Sequence, residues 1–152
     1  MDSDDVALIS SRYWYVGHDG YVMSVNKNDR TILLHRFLLN PTGEQHVDHI
    51  DRNPSNNTRN NLRLCSRSEN AMNKYPQSNN KSGIIGVWFS STSNKWAASI
   101  KLNQKTIHLG EYESKTDAII ARLHGEREYF KEFAPQKHLY KQYGIEVEQL
   151  IS

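Results

Sequence analysis

Nine of the chain's 14 asparagines fall between Asn53 and Asn80. Asparagine competes for its own backbone hydrogen bonds, so it favours turns and caps over the interiors of helices and strands. A chain with this much turn chemistry at its centre cannot carry long regular elements through its middle. Residues 76–83, polar and bounded by Pro76 and Gly83, deepen the break and read as a linker. The 152 residues therefore read as one or two small modules. Only 37% of residues are hydrophobic, which argues against a single large core. The 15 aromatics and near-balanced charge equally argue against a disordered chain. A lone cysteine, Cys65, excludes an intramolecular disulfide and a multi-cysteine zinc site. No apolar run approaches the roughly 18–20 residues that span a bilayer, and the acidic start at Asp2, Asp4 and Asp5 lacks the basic region of a signal peptide. The expectation is a cytoplasmic protein, neither secreted nor in a membrane.

Charge is informative once divided. Arg52, Arg59, Arg63, Arg67, Lys74, Lys81, Lys95, Lys101 and Lys105 form a basic central segment with Glu69 as its one acid. That segment carries +8 and the remainder −6, which the net +2 conceals. Such a stretch between acidic flanks suits a polyanion, most often nucleic acid.

Alternating apolar residues predict short strands at 12–16, 21–25 and 31–34, with a short helix or strand end at 35–39. A strand at 45–50 precedes the asparagine-rich loop, and a second follows at 62–65. Ser66 and Glu69 make a capping-box pattern that predicts a helix from about Arg67 to Asn73 or Lys74. Beyond the linker, runs at 85–90, 95–101 and 105–109 predict a three-stranded antiparallel sheet. Ser114 and Asp117 open a helix reaching about Phe130, with Ala118, Ala121 and Gly125 as a small-residue stripe that permits close packing. Residues 134–152 read as a tail, with a short helix from Ile145 and no assigned role.

Asp48 and His49 at a strand end, with Asn61 and Asn70 beyond, are the most specific signal. Carboxylate and carboxamide oxygens are hard ligands suited to Mg²⁺. A neutral imidazole nearby can take a proton from an attacking water. Together they suit phosphodiester hydrolysis. Successive side chains on a strand point to opposite sides, so Asp48 and His49 converge only if the strand end twists or His49 reaches round. A zinc set of His35, His46, His49 and Cys65 has suitable donors but no paired spacing to support it.

These residues resemble the HNH endonucleases of the homing and phage type. The likeness rests on Val47, Asp48, His49, Ile50, Asp51 and Asn53, then Asn57, Asn61, Leu62 and Arg63, then Ser66 and Asn70: at least eight matches over 24 positions. Leu34, His35, Arg36 and Phe37 are similar to the segment preceding that motif. The resemblance implies that Asp48 and Asn70 hold one divalent metal, Mg²⁺ or alternatively Mn²⁺. It implies that His49 is the general base and that Asn61 fixes the loop so as to orient His49. Arg52 stands where glycine is common in the family, and His46 is an additional imidazole read as a bystander.

Gly86, Val87, Trp88 and Phe89, then Lys95 to Ile100, then Leu109, Gly110 and Tyr112 resemble the APETALA2 (ethylene-response-factor) DNA-binding domain over residues 81–133. That family lays its sheet in the major groove. Alternation sets Val87, Phe89, Trp96, Ala98, Ile100, Ile107 and Leu109 towards the helix. Trp88, Ser90, Ser99, Lys101, Thr106 and His108 then face DNA, with Arg52, Arg63, Arg67, Lys74 and Lys105 as further contacts. Plant members carry several arginines on this face, so fewer bidentate guanine contacts are available here.

The resulting expectation is an α+β protein. A small antiparallel meander precedes a ββα-metal HNH module over residues 1–75, a linker spans 76–83, and a three-stranded sheet packed on one helix spans 84–133. It would be a metal-dependent endonuclease acting on double-stranded DNA, with a monomer favoured. The rival is a sequence-specific DNA-binding protein with a decayed HNH module. No RNA-recognition motif is visible.

Overall fold

The computed structural model describes residues 2–146, and the chain divides between Asn73 and Lys74 into two compact units. Both are mixtures of small antiparallel sheets and a few helices, compatible with an HNH-type α+β fold.

The first unit begins with α1 (Ser3–Ile9), followed by a meander of β1 (Tyr15–Val16), β2 (Val22–Val25) and β3 (Thr31–Leu33) in that sheet order. β3 runs directly into α2 (Leu34–Leu39), which stops where Asn40 adopts a left-handed conformation. A hairpin follows from β4 (His46–His49) and β5 (Leu62–Cys65), with Asp48 opposite Arg63 and His49 opposite Leu62. The loop between them carries a short 3₁₀ turn at Arg59–Asn61, and α3 (Arg67–Met72) closes the unit. The α3 cap is reciprocal: Glu69 N–H donates to Ser66 Oγ at 3.1 Å, and Ser66 N–H donates to Glu69 Oε2 at 2.7 Å. Ile9, Leu34, Leu38, Val47 and Leu62 form the core, with Trp14, Val22, Phe37 and Leu39 packed against it. This small core sets β4 against α2, and so sets the strand that carries Asp48 and His49.

α1 is unexpected from sequence. Its first residue is preceded by Asp2, whose side chain does not cap it. Its anchor is instead distant in sequence. Arg59 Nε and NH2 donate to Asp5 Oδ1 at 3.0 and 2.7 Å, and Arg59 N–H donates to Asp2 Oδ2 at 2.6 Å. The strand expected at 12–16 contracts to the two residues of β1.

In the second unit, β6 (Val87–Ser90), β7 (Lys95–Leu102) and β8 (Lys105–Tyr112) form an antiparallel sheet, and α4 (Lys115–Tyr129) packs on it. Val87, Ala98 and Ile100 are buried beneath the helix, whose own Ala118, Ile119 and Leu123 are buried too. Ser114 Oγ caps α4 by accepting from Asp117 N–H at 3.2 Å. β6 starts two residues later than the sequence suggests because Gly86 has φ +75°. β8 runs three residues longer, across a register shift opposite Ala98 and Ser99. Part of the expected linker is an ordered turn: Asn80 Oδ1 accepts from the N–H groups of Ser82 and Gly83 at 3.0 Å, and Asn80 Nδ2 donates to Ile84 O at 2.9 Å.

Of the residues read as a tail, several up to Ile145 pack onto the second unit. Gln136 is buried; its Nε2 donates to Glu126 Oε1 at 2.6 Å, and its Oε1 accepts from Ile85 N–H at 2.9 Å. Arg122 Nε donates to the same Glu126 oxygen at 2.8 Å while its NH1 donates to Ser99 O at 2.5 Å. Burial raises the Glu126 carboxyl pKa above its usual range despite the opposing pull of Arg122 and Gln136. Tyr140 and Ile145 are buried as well. The helix expected from Ile145 falls largely outside the described residues.

Gly86 gives a test of this packing. A Cβ there would lie 2.5 Å from Ser99 O and 2.6 Å from Arg122 NH1, in a left-handed conformation. Gly83 has a similar φ, +78°, with nothing within 4 Å. Gly86→Ala should cost about 2–4 kcal/mol, from strain and overpacking combined. Gly83→Ala should cost only about 1 kcal/mol. Thermal melts of the two variants giving equal losses would contradict the packing described.

Candidate active site

Asp48 is 6% exposed, and a carboxylate so enclosed needs compensating donors. Two elements supply them. From β5, Arg63 Nε and NH2 reach Asp48 Oδ2 at 2.8 and 2.7 Å. From the end of α3, Asn73 Nδ2 lies 3.1 Å from both carboxylate oxygens, and also 2.9 Å from His49 O and 3.3 Å from Ile50 O. One amide thus ties α3 to three consecutive residues of the β4 end. Sequence reading passes over Asn73 in favour of Asn70. Asn73 is the C-cap of α3, one residue past its end and with non-helical backbone angles, so helical spacing in the sequence does not mark it. Among the described residues no hydrogen bond joins Asn70 to Asp48; Asn70 is half-buried one turn earlier on α3.

His49 follows the strand alternation and takes different partners. Its Nε2 lies 3.2 Å from Asn57 Oδ1 in the loop. Its ring meets His35 of α2 edge-on, with centroids 4.9 Å apart, and Tyr21 at 6.0 Å. Asp48 and His49 are therefore brought to one strand end but held by separate sets of groups. His35 is buried, and among the described residues its Nδ1 has no hydrogen-bond partner. Burial chiefly, then the neighbouring His49 and Arg36, lower its pKa from 6.5 to about 4.

The loop is held by Asn61. Its Nδ2 donates to Asp51 Oδ1 and Asn56 O, both at 2.8 Å, its Oδ1 accepts from Asp51 N–H at 2.9 Å, and its carbonyl accepts from Ile50 N–H at 2.8 Å. Burial acts to raise the Asp51 pKa, but hydrogen bonds from Asn56, Asn53 and Asn61 and the nearby His49 outweigh it and lower it. Ser55 Oγ donates to Gly20 O at 2.8 Å, fastening the loop to the meander. Arg52, beside the site, has φ +63°, and its N–H donates to His49 O at 2.9 Å. A left-handed conformation costs a non-glycine residue roughly 1–2 kcal/mol.

Arg63, grouped by sequence with the DNA contacts, instead turns its guanidinium onto Asp48 and is 15% exposed. Arg67 and Lys74 are exposed. His46 lies opposite Cys65, whose Sγ contacts His46 O at 3.7 Å. Burial, with Asp48 and Glu69 adding to it, pushes the Cys65 thiol pKa up to about 11. Among the described residues no three His, Cys, Asp or Glu side chains gather as a metal-binding group, so the zinc set of His35, His46, His49 and Cys65 is not assembled. In the second unit Trp88, Lys101, Thr106 and His108 are exposed and Ser90 and Ser99 half-buried on the sheet face away from α4; Lys105 is exposed at the hairpin end.

The HNH endonuclease family matches residues 41–72, the hairpin and helix that hold Asp48 and His49. A protein of Acanthamoeba polyphaga mimivirus named as an uncharacterized HNH endonuclease is 34% identical over 138 residues, covering 86% of this chain and 70% of that protein. The chain belongs to the HNH endonuclease family. A second relative, protein 3.8 of Escherichia phage T7, is 35% identical over 60 residues, 40% of this chain and 50% of that protein. No solved structure matches the chain. The HNH match ends at residue 72, so Asn73 is the first residue beyond it.

The low His35 pKa sets a pH dependence for the HNH unit. An unfolded chain takes up the His35 proton near pH 6.5 and the folded chain only near 4, so in that window the unfolded state binds more protons and stability falls as pH falls. The contribution lost between pH 7 and pH 5 is on the order of 2 kcal/mol. In His35→Gln that part of the loss should vanish, and urea melts at the two pH values measure it. Equal losses in both proteins would contradict the assignment.

Proposed function

We propose that this chain is a metal-dependent endonuclease that hydrolyses phosphodiester bonds of double-stranded DNA. The reading is supported by one observation: Asp48 and His49 stand at the end of β4, inside the hairpin and helix that match the HNH endonuclease family, and Asn73 beside the end of α3 holds the Asp48 carboxylate. Asp48 and Asn70 offer hard oxygen donors, a set that suits a largely hydrated Mg²⁺, or Mn²⁺, completed by water and a phosphate oxygen. Such an ion, when bound, stabilises negative charge on the phosphate and leaving oxygen. His49 takes the proton of the attacking water. Asn61 holds the loop beside it, and Arg63 and Asn73 hold the Asp48 carboxylate in place. Arg52, Arg67 and Lys74 are the phosphate contacts around this ββα site; Arg63, committed to Asp48, is left out of that group.

The second unit is the targeting module in this reading, an APETALA2-like sheet on a helix. Its outer face offers Trp88, Ser90, Ser99, Lys101, Thr106 and His108, with Lys105 at the hairpin end. Glu111 on the same face works against dense phosphate contact. Shape and a few hydrogen bonds then contribute more to binding than guanine-directed arginines.

His49→Ala should lower single-turnover cleavage about 10²–10⁴-fold while DNA affinity stays near that of wild type. Unchanged turnover would remove His49 from the mechanism. Lys101→Ala combined with Lys105→Ala should weaken binding and flatten its salt dependence by about 0.9 in log–log slope for each phosphate left unneutralised. Fluorescence anisotropy over a salt series reads both quantities. An unaltered slope would mean that the sheet does not engage DNA.

A further inference from the structure

Asn57 lies in the loop between β4 and β5, 3% exposed. Its Nδ2 is 3.3 Å from both Pro54 O and Ser55 O. Two carbonyls accept and cannot donate, so they select the amide nitrogen and turn Oδ1 the other way, onto His49 Nε2 at 3.2 Å. An amide oxygen likewise only accepts. The neutral imidazole therefore carries its hydrogen on Nε2, and the lone pair falls to Nδ1, which has no hydrogen-bond partner among the described residues. His35 edge-on at 4.9 Å and Tyr21 at 6.0 Å, themselves 5.5 Å apart, pack against one side of the ring, so packing restrains its plane while Asn57 selects its tautomer.

We propose that Asn57 is a positioning residue that fixes His49 as the Nε2–H tautomer and thereby makes Nδ1 the nitrogen that receives a proton from water. The assignment rests on the reading of His49 as general base. It separates two duties within the loop: Asn61 fixes its backbone through Asp51 and Asn56, and Asn57 fixes the imidazole. An acceptor aimed at one ring nitrogen excludes the alternative in which that nitrogen is the base. Proton transfer then has one geometry.

The test uses the full chain. Long-range ¹H–¹⁵N correlation spectra of neutral His49 should show a protonated Nε2 and an unprotonated Nδ1 in wild type. Asn57→Leu keeps the volume but removes the acceptor; the two nitrogen signals should move towards averaged positions, and the single-turnover rate should fall about 10-fold or more at unchanged DNA affinity. Asn57→Asp keeps an oxygen acceptor towards His49 and should retain the Nε2–H signature. A wild-type His49 protonated on Nδ1 overturns the proposal even if no variant folds. So does Asn57→Leu with unaltered signals and rate. A locked Nε2–H that Asn57→Leu releases, in a protein that cleaves no DNA, would support the Asn57 assignment and sink the nuclease reading instead.

Discussion

The Asp48 carboxylate is the group around which the first unit is organised. Enclosing an ionised carboxylate is costly unless it is paired and hydrogen-bonded. Here the cation comes from the residue directly across the hairpin, Arg63, and the neutral donor from the C-cap of α3, Asn73. Each partner also constrains backbone: Arg63 fixes the pairing of β4 with β5, and Asn73 fixes α3 against the carbonyls of His49 and Ile50. The strand, hairpin and helix are thus oriented by one negative charge. Removing either partner would leave that charge undercompensated, so the same interaction that shapes the site stabilises the unit.

The loop from Ile50 to Asn61 shows why asparagine is concentrated there. Asn53, Asn56, Asn57 and Asn61 accept from backbone N–H groups, donate to carbonyls or hold side chains. They supply the hydrogen bonding that a helix or strand would otherwise provide. Composition alone predicts a loop at this position. It does not predict that the loop is ordered, or that two of its asparagines divide backbone and side-chain duties.

Local signals were legible and distant ones were not. The Ser66–Glu69 box and the Ser114 cap depend on neighbours three residues apart, and the strands read within 85–109 depend on two-residue alternation, so pattern reading reaches them, although Phe89, read as facing the helix, is 48% exposed. α1 depends on Arg59, more than fifty residues away, and is invisible to any local pattern. Gln136 joins the second unit through a buried network around Glu126 that starts at Arg122, fourteen residues earlier. Asp48, His49, Asn61 and Asn70 could be singled out because the family motif carries them. Asn73 and the turn of Arg63 away from solvent required three-dimensional contacts. Arg52, recognised in sequence as a departure from glycine, has its cost explained by φ +63°.

A buried carboxylate beside a positioned imidazole suits metal-assisted hydrolysis, and a sparsely liganded, hydrated ion adds little to the stability of a fold that its own side chains already hold. Supercoiled plasmid incubated with the full chain in Mg²⁺ or in EDTA, with circular dichroism on the same samples, tests this most directly. The account predicts nicked or linear DNA with Mg²⁺, intact supercoils with EDTA, and identical spectra in both. Supercoils left intact in Mg²⁺ and Mn²⁺, or a fold that melts when EDTA is added, would contradict it.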